Sequence, residues 1–171
     1  MKKAKIMIAN RQKKVKVPVG LRLLVRKCCI AVLTMENFET CAVIDVSFVD
    51  NNEILFLNKK YRKKDSFTDV LSFPLIEGDV CDKDPKSGEF LLGDIVISLE
   101  QAVAQAARYV HSLQREVAYL TVHSVLHLIG YTHEESSIKK LRMREKEETI
   151  MARLGLASTC SYVVDEFLNT Q

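Results

Sequence analysis

Residues 112–129 read as one helix that is apolar nearly all round, and this stretch restricts the fold more than any other. A helix without a polar face has to be wrapped by the rest of the chain, so it belongs at the centre of the molecule. Gly130 stands just past its end, the position where glycine usually closes a helix. His123 and His127 are spaced i, i+4 and so share one face, one turn apart. In a dry core each imidazole needs a partner, and a shared cation supplies one to both. Gly130 tolerates positive φ, so the chain can reverse there and bring His133 back toward the pair.

Three of the four histidines fall in this segment. Three imidazoles with one open position form the usual catalytic zinc arrangement, in contrast to a closed four-ligand structural site. The expected ligands are therefore His123, His127 and His133, holding one Zn2+ per chain, although imidazole sites also accept nickel, copper or iron. The plainer alternative is two packed histidines and one in a loop. Agreement of spacing, turn and burial favours the metal. Metzincin proteases share the H-x-x-x-H-x-x-G-x-x-H spacing, but they need a glutamate after the first histidine as general base. Here that residue is Ser124, which cannot serve.

The rest of the chain supplies elements to wrap this helix. Strands are expected at residues 4–9, 41–49, 70–73 and 92–97. A helix is expected over 19–33, entered at Pro18. Another runs from Asp50, with Glu53 three residues on, to about Tyr61. Ser98 and Gln101 suggest a capped helix to about Tyr109, and a charged amphipathic helix is expected over 137–154. Residues 77–89 read as a polar loop. Strands gathered in the first half and helices in the second predict an α+β fold, a small mixed sheet packed with helices, rather than a doubly wound one. No repeat or long linker divides the chain, so residues 1–171 are expected to form a single domain.

The net charge of +3 hides an asymmetry. Residues 1–27 hold ten Lys or Arg and no acid, leaving the remainder with fifteen basic and twenty-two acidic residues. A basic end on an acidic body can attract a polyanion, or it can simply be a solvated surface. Five cysteines, odd in number and without a C-x-x-C pair, suggest free thiols rather than a disulfide framework. No apolar run reaches the roughly 20 residues needed to cross a bilayer, and basic residues interrupt any secretory core. The expected address is cytoplasmic, with no membrane partner.

A second informative stretch is Leu57-Asn58-Lys59-Lys60-Tyr61-Arg62-Lys63-Lys64-Asp65, continuing to Thr68-Asp69-Val70-Leu71-Ser72-Phe73-Pro74. The guanidinium of Arg62 can grip phosphate in two-pronged fashion. This stretch resembles the L-N-x-x-Y-R … D-x-P-T-D-V-L-S-F-P signature of the YbeY family of metal-dependent endoribonucleases. The histidine segment resembles the family's H-G-x-x-H-L-x-G-Y-D-H motif through His123, His127, Leu128, Gly130, Tyr131 and His133, and Leu92 to Ile95 match a third element, L-G-D-I. Departures are Ser124 for Gly, Thr132 for Asp, Phe67 for Pro and Lys63 for a common Gly.

The resemblance implies a zinc-dependent single-strand endoribonuclease that matures the 3′ end of small-subunit rRNA and takes part in ribosome quality control. Its partners would be single-stranded RNA and the ribosome or its small subunit. It implies His123, His127 and His133 as metal ligands and Arg62 as the catalytic cation. The nucleophile would be either metal-activated water or hydroxide, or the RNA 2′-hydroxyl. Arg62, Lys63, Lys64 and Ser72 are candidate substrate contacts. Asp69 and Asp94 also match, in either an active-site or a folding role. Glu134 and Glu135 read as acids at a helix start, and His111 as structural. The competing readings are a ribosome-associated RNA-binding module with a structural metal, and a metallohydrolase acting on another substrate.

Overall fold

The computed structural model describes residues 4–38, 41–77, 80–81, 83–133 and 136–157. Strand β1 (Lys5–Asn10) leads through helix α1 (Leu21–Met35) to β2 (Ala42–Val49), which pairs parallel to β1. Helix α2 (Asn51–Leu57) continues as a π-helix over Asn58–Arg62, then β3 (Val70–Pro74) begins. A short hairpin of β4 (Ile76–Glu77) and β5 (Val80–Cys81) precedes β6 (Phe90–Ser98). Helices α3 (Leu99–Arg108), α4 (Leu113–Leu128) and α5 (Ser137–Arg153) follow.

The main sheet has the order β1-β2-β6-β3, parallel except for β3, which runs antiparallel along β6. The fold is therefore α+β with a small mixed sheet. Ile44, Val46, Phe48, Ile95 and Ile97 turn one face toward a core shared with α1, α4 and α5. On α4, Val117, Ala118, Val122, Val125, Leu126 and Leu128 are all fully buried, as an apolar-all-round helix requires. α2 covers part of the other face through Ile54, which packs with Val49, Leu71 and Val96.

The helix starts are set by local chemistry. Asp50 accepts from the Glu53 amide at 2.9 Å, Ser98 from Gln101 at 3.3 Å, Ser112 from Arg115 at 3.1 Å and Ser136 from Lys139 at 3.2 Å. Each satisfies an amide that the helix itself leaves unpaired. The helix expected to run from Asp50 to Tyr61 does so only by widening. Its last five residues are π-helical, and Lys63 ends it in the left-handed region at φ 58°. The Asn58 side chain donates to the Ser66 carbonyl at 2.9 Å, tying the widened turn to the loop that follows. The segment expected as a polar loop holds the β4–β5 hairpin and an isolated bridge between Lys83 and Phe90.

Gly93 lets strand, strand and helix approach closely. Its φ is 140°, and a Cβ there would lie 2.2 Å from the Phe73 carbonyl oxygen and 3.0 Å from Cδ2 of Leu128. The β2–β6 register shifts beside it, with Val43 opposite Leu91 but Ile44 opposite Gly93. Leu128 follows His127 directly, so this contact seats the histidine end of α4 on the sheet.

Cys28 and Cys29 are buried in α1, and burial pushes both thiols up, that of Cys28 to about 12. Cys28 and Cys29 are free thiols, and the Cys41 Sγ donates to Oε1 of Glu89 at 3.6 Å. Among the described residues no helix is long and apolar enough to cross a membrane. Glu134, Glu135 and Cys160 lie outside the described residues.

Candidate metal centre

The last two turns of α4 carry His123 and His127, whose Nε2 atoms face each other at 3.1 Å. The helix then closes in a Schellman motif, with the Gly130 amide donating to the His127 carbonyl at 3.0 Å and the Tyr131 amide to the Leu126 carbonyl at 3.0 Å. Gly130 takes φ 103°, which an L side chain rarely adopts. The reversal returns His133 to the pair, its ring centroid 5.4 Å from that of His123 and 4.9 Å from that of His127. One ligand atom from each of the three lies within 4.8 Å of the others, so together they could hold a metal ion.

Each ring is backed differently. Nδ1 of His127 lies 2.7 Å from the Tyr131 carbonyl oxygen. A carbonyl only accepts, so Nδ1 carries the proton and the neutral ring presents a lone pair at Nε2. Burial first, and then the neighbouring His123, push the His127 pKa down to about 4. Nδ1 of His123 lies 2.6 Å from Oε1 of Glu147, whose Oε2 accepts from the Tyr119 hydroxyl at 3.1 Å. Nδ1 of His133 is buried with no hydrogen-bond partner.

A second tie braces the turn. The Tyr131 hydroxyl donates to Oε2 of Glu36 at 2.6 Å, and Lys146 pairs with the other oxygen of that carboxylate. The end of α1, the turn after α4 and the middle of α5 thus meet at Tyr131, whose carbonyl orients His127. Burial and the Glu36 contact raise the Tyr131 hydroxyl pKa, and Glu36 raises that of Lys146.

The three histidines open onto a cavity of about 630 Å³ that also receives Arg62, Lys64, Phe67, Asp69 and Ser72. Arg62 is exposed, and its Nη2 donates to the Ser72 carbonyl at 2.8 Å. That carbonyl lies on the free edge of β3. Asp69 accepts from Ser98 through its backbone carbonyl, which puts residues 69, 71 and 73 in the hydrogen-bonded positions against β6 and leaves 70 and 72 facing outward. Lys63 is exposed and does not line the cavity. The Asp69 carboxylate accepts from the Val70 amide at 2.7 Å and from the Gln105 side chain at 3.0 Å, tying the start of β3 to α3.

Two other acids lie apart from this cavity. Asp94 faces the opposite side of the sheet, directly across from Asp45. Both line a separate cavity of about 600 Å³, where burial raises the Asp45 and Asp94 pKa values and their proximity raises that of Asp94 further. His111 pairs with Glu116 at 3.0 Å, at the other end of α4 from the cluster. Ser124 is fully buried and does not line the cavity. Its position points into the core, away from where a general base would have to act.

The three histidines and Arg62, singled out from the sequence, line one cavity; the sequence reading did not name Glu147, Tyr119, or the tie of Glu36, Lys146 and Tyr131. A signal for Glu147 did exist. On α5 it falls in one stripe with Met143, Ile150 and Met151, all buried. A carboxylate in an apolar stripe rarely stands there without a partner.

The YbeY family model, described as endoribonuclease YbeY, matches residues 7–155. The endoribonuclease YbeY of Caldanaerobacter subterraneus subsp. tengcongensis is 54% identical over 156 residues, covering 88% of this chain and 98% of that protein. That of Alkaliphilus metalliredigens is 46% identical over 151 residues, covering 88% and 96%. The solution structure of TM1509 from Thermotoga maritima superposes with a TM-score of 0.56 at 24% identity, covering 87% of this chain and 91% of that one, and supports the fold. With the family model and relatives of this identity spanning nearly their whole length, the chain belongs to the YbeY family.

Proposed function

We propose that this chain is a zinc-dependent, single-strand-specific endoribonuclease that acts in rRNA processing. One observation carries the reading. Two imidazoles whose Nδ1 protons are committed to Glu147 and Tyr131 point their Nε2 atoms at each other across 3.1 Å. Two lone pairs at that separation repel unless a cation lies between them. The buried, unpartnered Nδ1 of His133 adds a third nitrogen that the protein itself leaves unsatisfied. His123, His127 and His133 would hold the ion, and the donor set suits zinc. Bound there, a zinc ion supplies Lewis acidity at the reacting phosphodiester.

The remaining work belongs to the protein. Arg62 spends one N–H on the Ser72 carbonyl, which fixes its guanidinium on the cavity wall. Its other donors can take up charge developing on phosphate, the kind of electrostatic help that usually contributes most. Lys64 and Ser72 line the same wall and can hold neighbouring phosphate groups, with Lys63 adding charge outside it. The relatives are endoribonucleases, which supports RNA as the substrate. The implied role in maturing the small-subunit rRNA 3′ end and in ribosome quality control, at the cytoplasmic ribosome, is carried over on the same footing.

The test uses zinc-loaded protein, a fluorescent single-stranded RNA and the same sequence annealed into a duplex. Cleavage of the single strand, with the duplex spared and activity lost on chelation, supports the reading. Equal cleavage of both, or activity that survives full removal of metal, contradicts it.

A further inference from the structure

The three candidate ligands differ in what stands behind them, and the carboxylate behind His123 comes from farthest away in the chain. Glu147 projects from α5 into the core and is 4% exposed. Its two oxygens are divided between the His123 ring at 2.6 Å and the Tyr119 hydroxyl at 3.1 Å. Tyr119 lies one helical turn before His123 on α4, and the two rings are nearly parallel, 27° apart with centroids at 6.1 Å. A carboxylate gripped on one side by a phenol and on the other by an imidazole cannot turn without breaking a contact.

From this geometry we infer that Glu147 is a positioning residue for the metal centre, acting through His123, with Tyr119 holding it in place. The inference rests on the metal reading above. The carboxylate keeps the His123 proton on Nδ1, so the lone pair stays on Nε2, the atom that faces His127. By accepting that proton's hydrogen bond it also makes the ring a stronger donor. Behind His127 stands only a neutral carbonyl. Of these two facing rings, the one that brings negative charge toward the cation is therefore His123.

The rival explanation is that Glu147 is only a buried structural partner of α4. The two explanations separate when metal affinity and metal-free stability are measured on the same proteins. Wild type, Glu147→Gln and Tyr119→Phe are stripped of metal, titrated with zinc against a chromogenic chelator, and melted in the metal-free state. Glu147→Gln keeps the shape but removes the charge. It is expected to bind zinc about 10–100-fold more weakly while its metal-free melting temperature stays close to that of wild type. Tyr119→Phe leaves the charge and frees its orientation, and is expected to bind several-fold more weakly.

Equal zinc affinity in wild type and Glu147→Gln overturns the positioning role and leaves the metal reading standing. A fall in metal-free melting temperature with unchanged affinity does the same. If Glu147→Gln fails to fold, Tyr119→Phe decides: weaker zinc binding supports the role and unchanged binding overturns it. A wild type that takes up no zinc in this titration overturns the metal reading and the inference with it.

Discussion

The backbone carbonyl of Tyr131 stands 2.7 Å from Nδ1 of His127, so the turn that ends α4 also sets the proton on one of its histidines. The same turn carries the Tyr131 side chain to Glu36 and returns the chain to His133. Closing the helix and orienting the candidate metal ligands are therefore one structural event. Binding an ion at the three nitrogens should hold the turn closed and stabilise the whole fold.

Metal removal should accordingly lower thermal stability. A ligand that binds only the folded state at about 100 times its Kd adds roughly 2.7 kcal/mol. Thermal melts of zinc-loaded and chelated protein check this: a higher melting temperature with zinc is expected. Identical melts would mean that the turn does not depend on the ion.

Arg62→Ala should separate binding of the ion from chemistry. Arg62 touches the Ser72 carbonyl and none of the three histidines through a hydrogen bond. Metal content should therefore stay at the wild-type level. Single-turnover RNA cleavage should fall about 10²–10³-fold, as when one charge-stabilising donor is removed elsewhere. Loss of metal in this variant would show that the arginine acts on the site's integrity instead.

Gly93→Ala should be strongly destabilising. The added Cβ would meet the Phe73 carbonyl oxygen at 2.2 Å, and φ 140° is strained for alanine whatever the space. A loss of about 2–4 kcal/mol in urea unfolding is expected. Lys63 offers the opposite case, a side-chain residue at φ 58° in an exposed turn. Lys63→Gly should raise stability by up to about 1 kcal/mol, because relief of left-handed strain exceeds the added freedom of the unfolded chain.

Burial, helped by Asp69, pushes the Glu116 pKa up from 4.5 to about 7, with Arg115 opposing. A raised carboxyl pKa means the folded state holds a proton that the unfolded chain has released. The stability this contributes is complete below about pH 4.5 and is lost as pH rises through about 7. Glu116→Gln has no such proton to lose. The stability of wild type relative to Glu116→Gln should therefore fall as pH rises across that window, measured by urea unfolding at several pH values. A difference that rises or stays level would contradict the assignment.

What could be read from the chain was local. Two helix starts, at Asp50 and Ser98, could be read from a capping side chain and the residue three positions on, and His123, His127, Gly130 and His133 lie within one helix and its reversal. Arg62 was legible as a cation in a motif, but its bond to Ser72 depends on where β3 runs. Distant partners were not legible. Glu147 is twenty-four residues from His123, and Glu36 is ninety-five from Tyr131. Nothing within a window of sequence distinguishes these glutamates from solvated neighbours except, for Glu147, its place in the buried stripe of α5. The π-helical widening at Asn58–Arg62 was hidden for a similar reason, since Asn58 is held by Ser66 across a loop.

The most direct test of the account compares wild type with His127→Ala, reading metal content by mass spectrometry and cleavage of a fluorescent single-stranded RNA on the same samples. The account predicts about one metal ion per wild-type chain and RNA cleavage, both lost in the variant. A wild type that holds no metal after reconstitution with zinc, or a metal-free variant that cleaves RNA as fast as wild type, would contradict it.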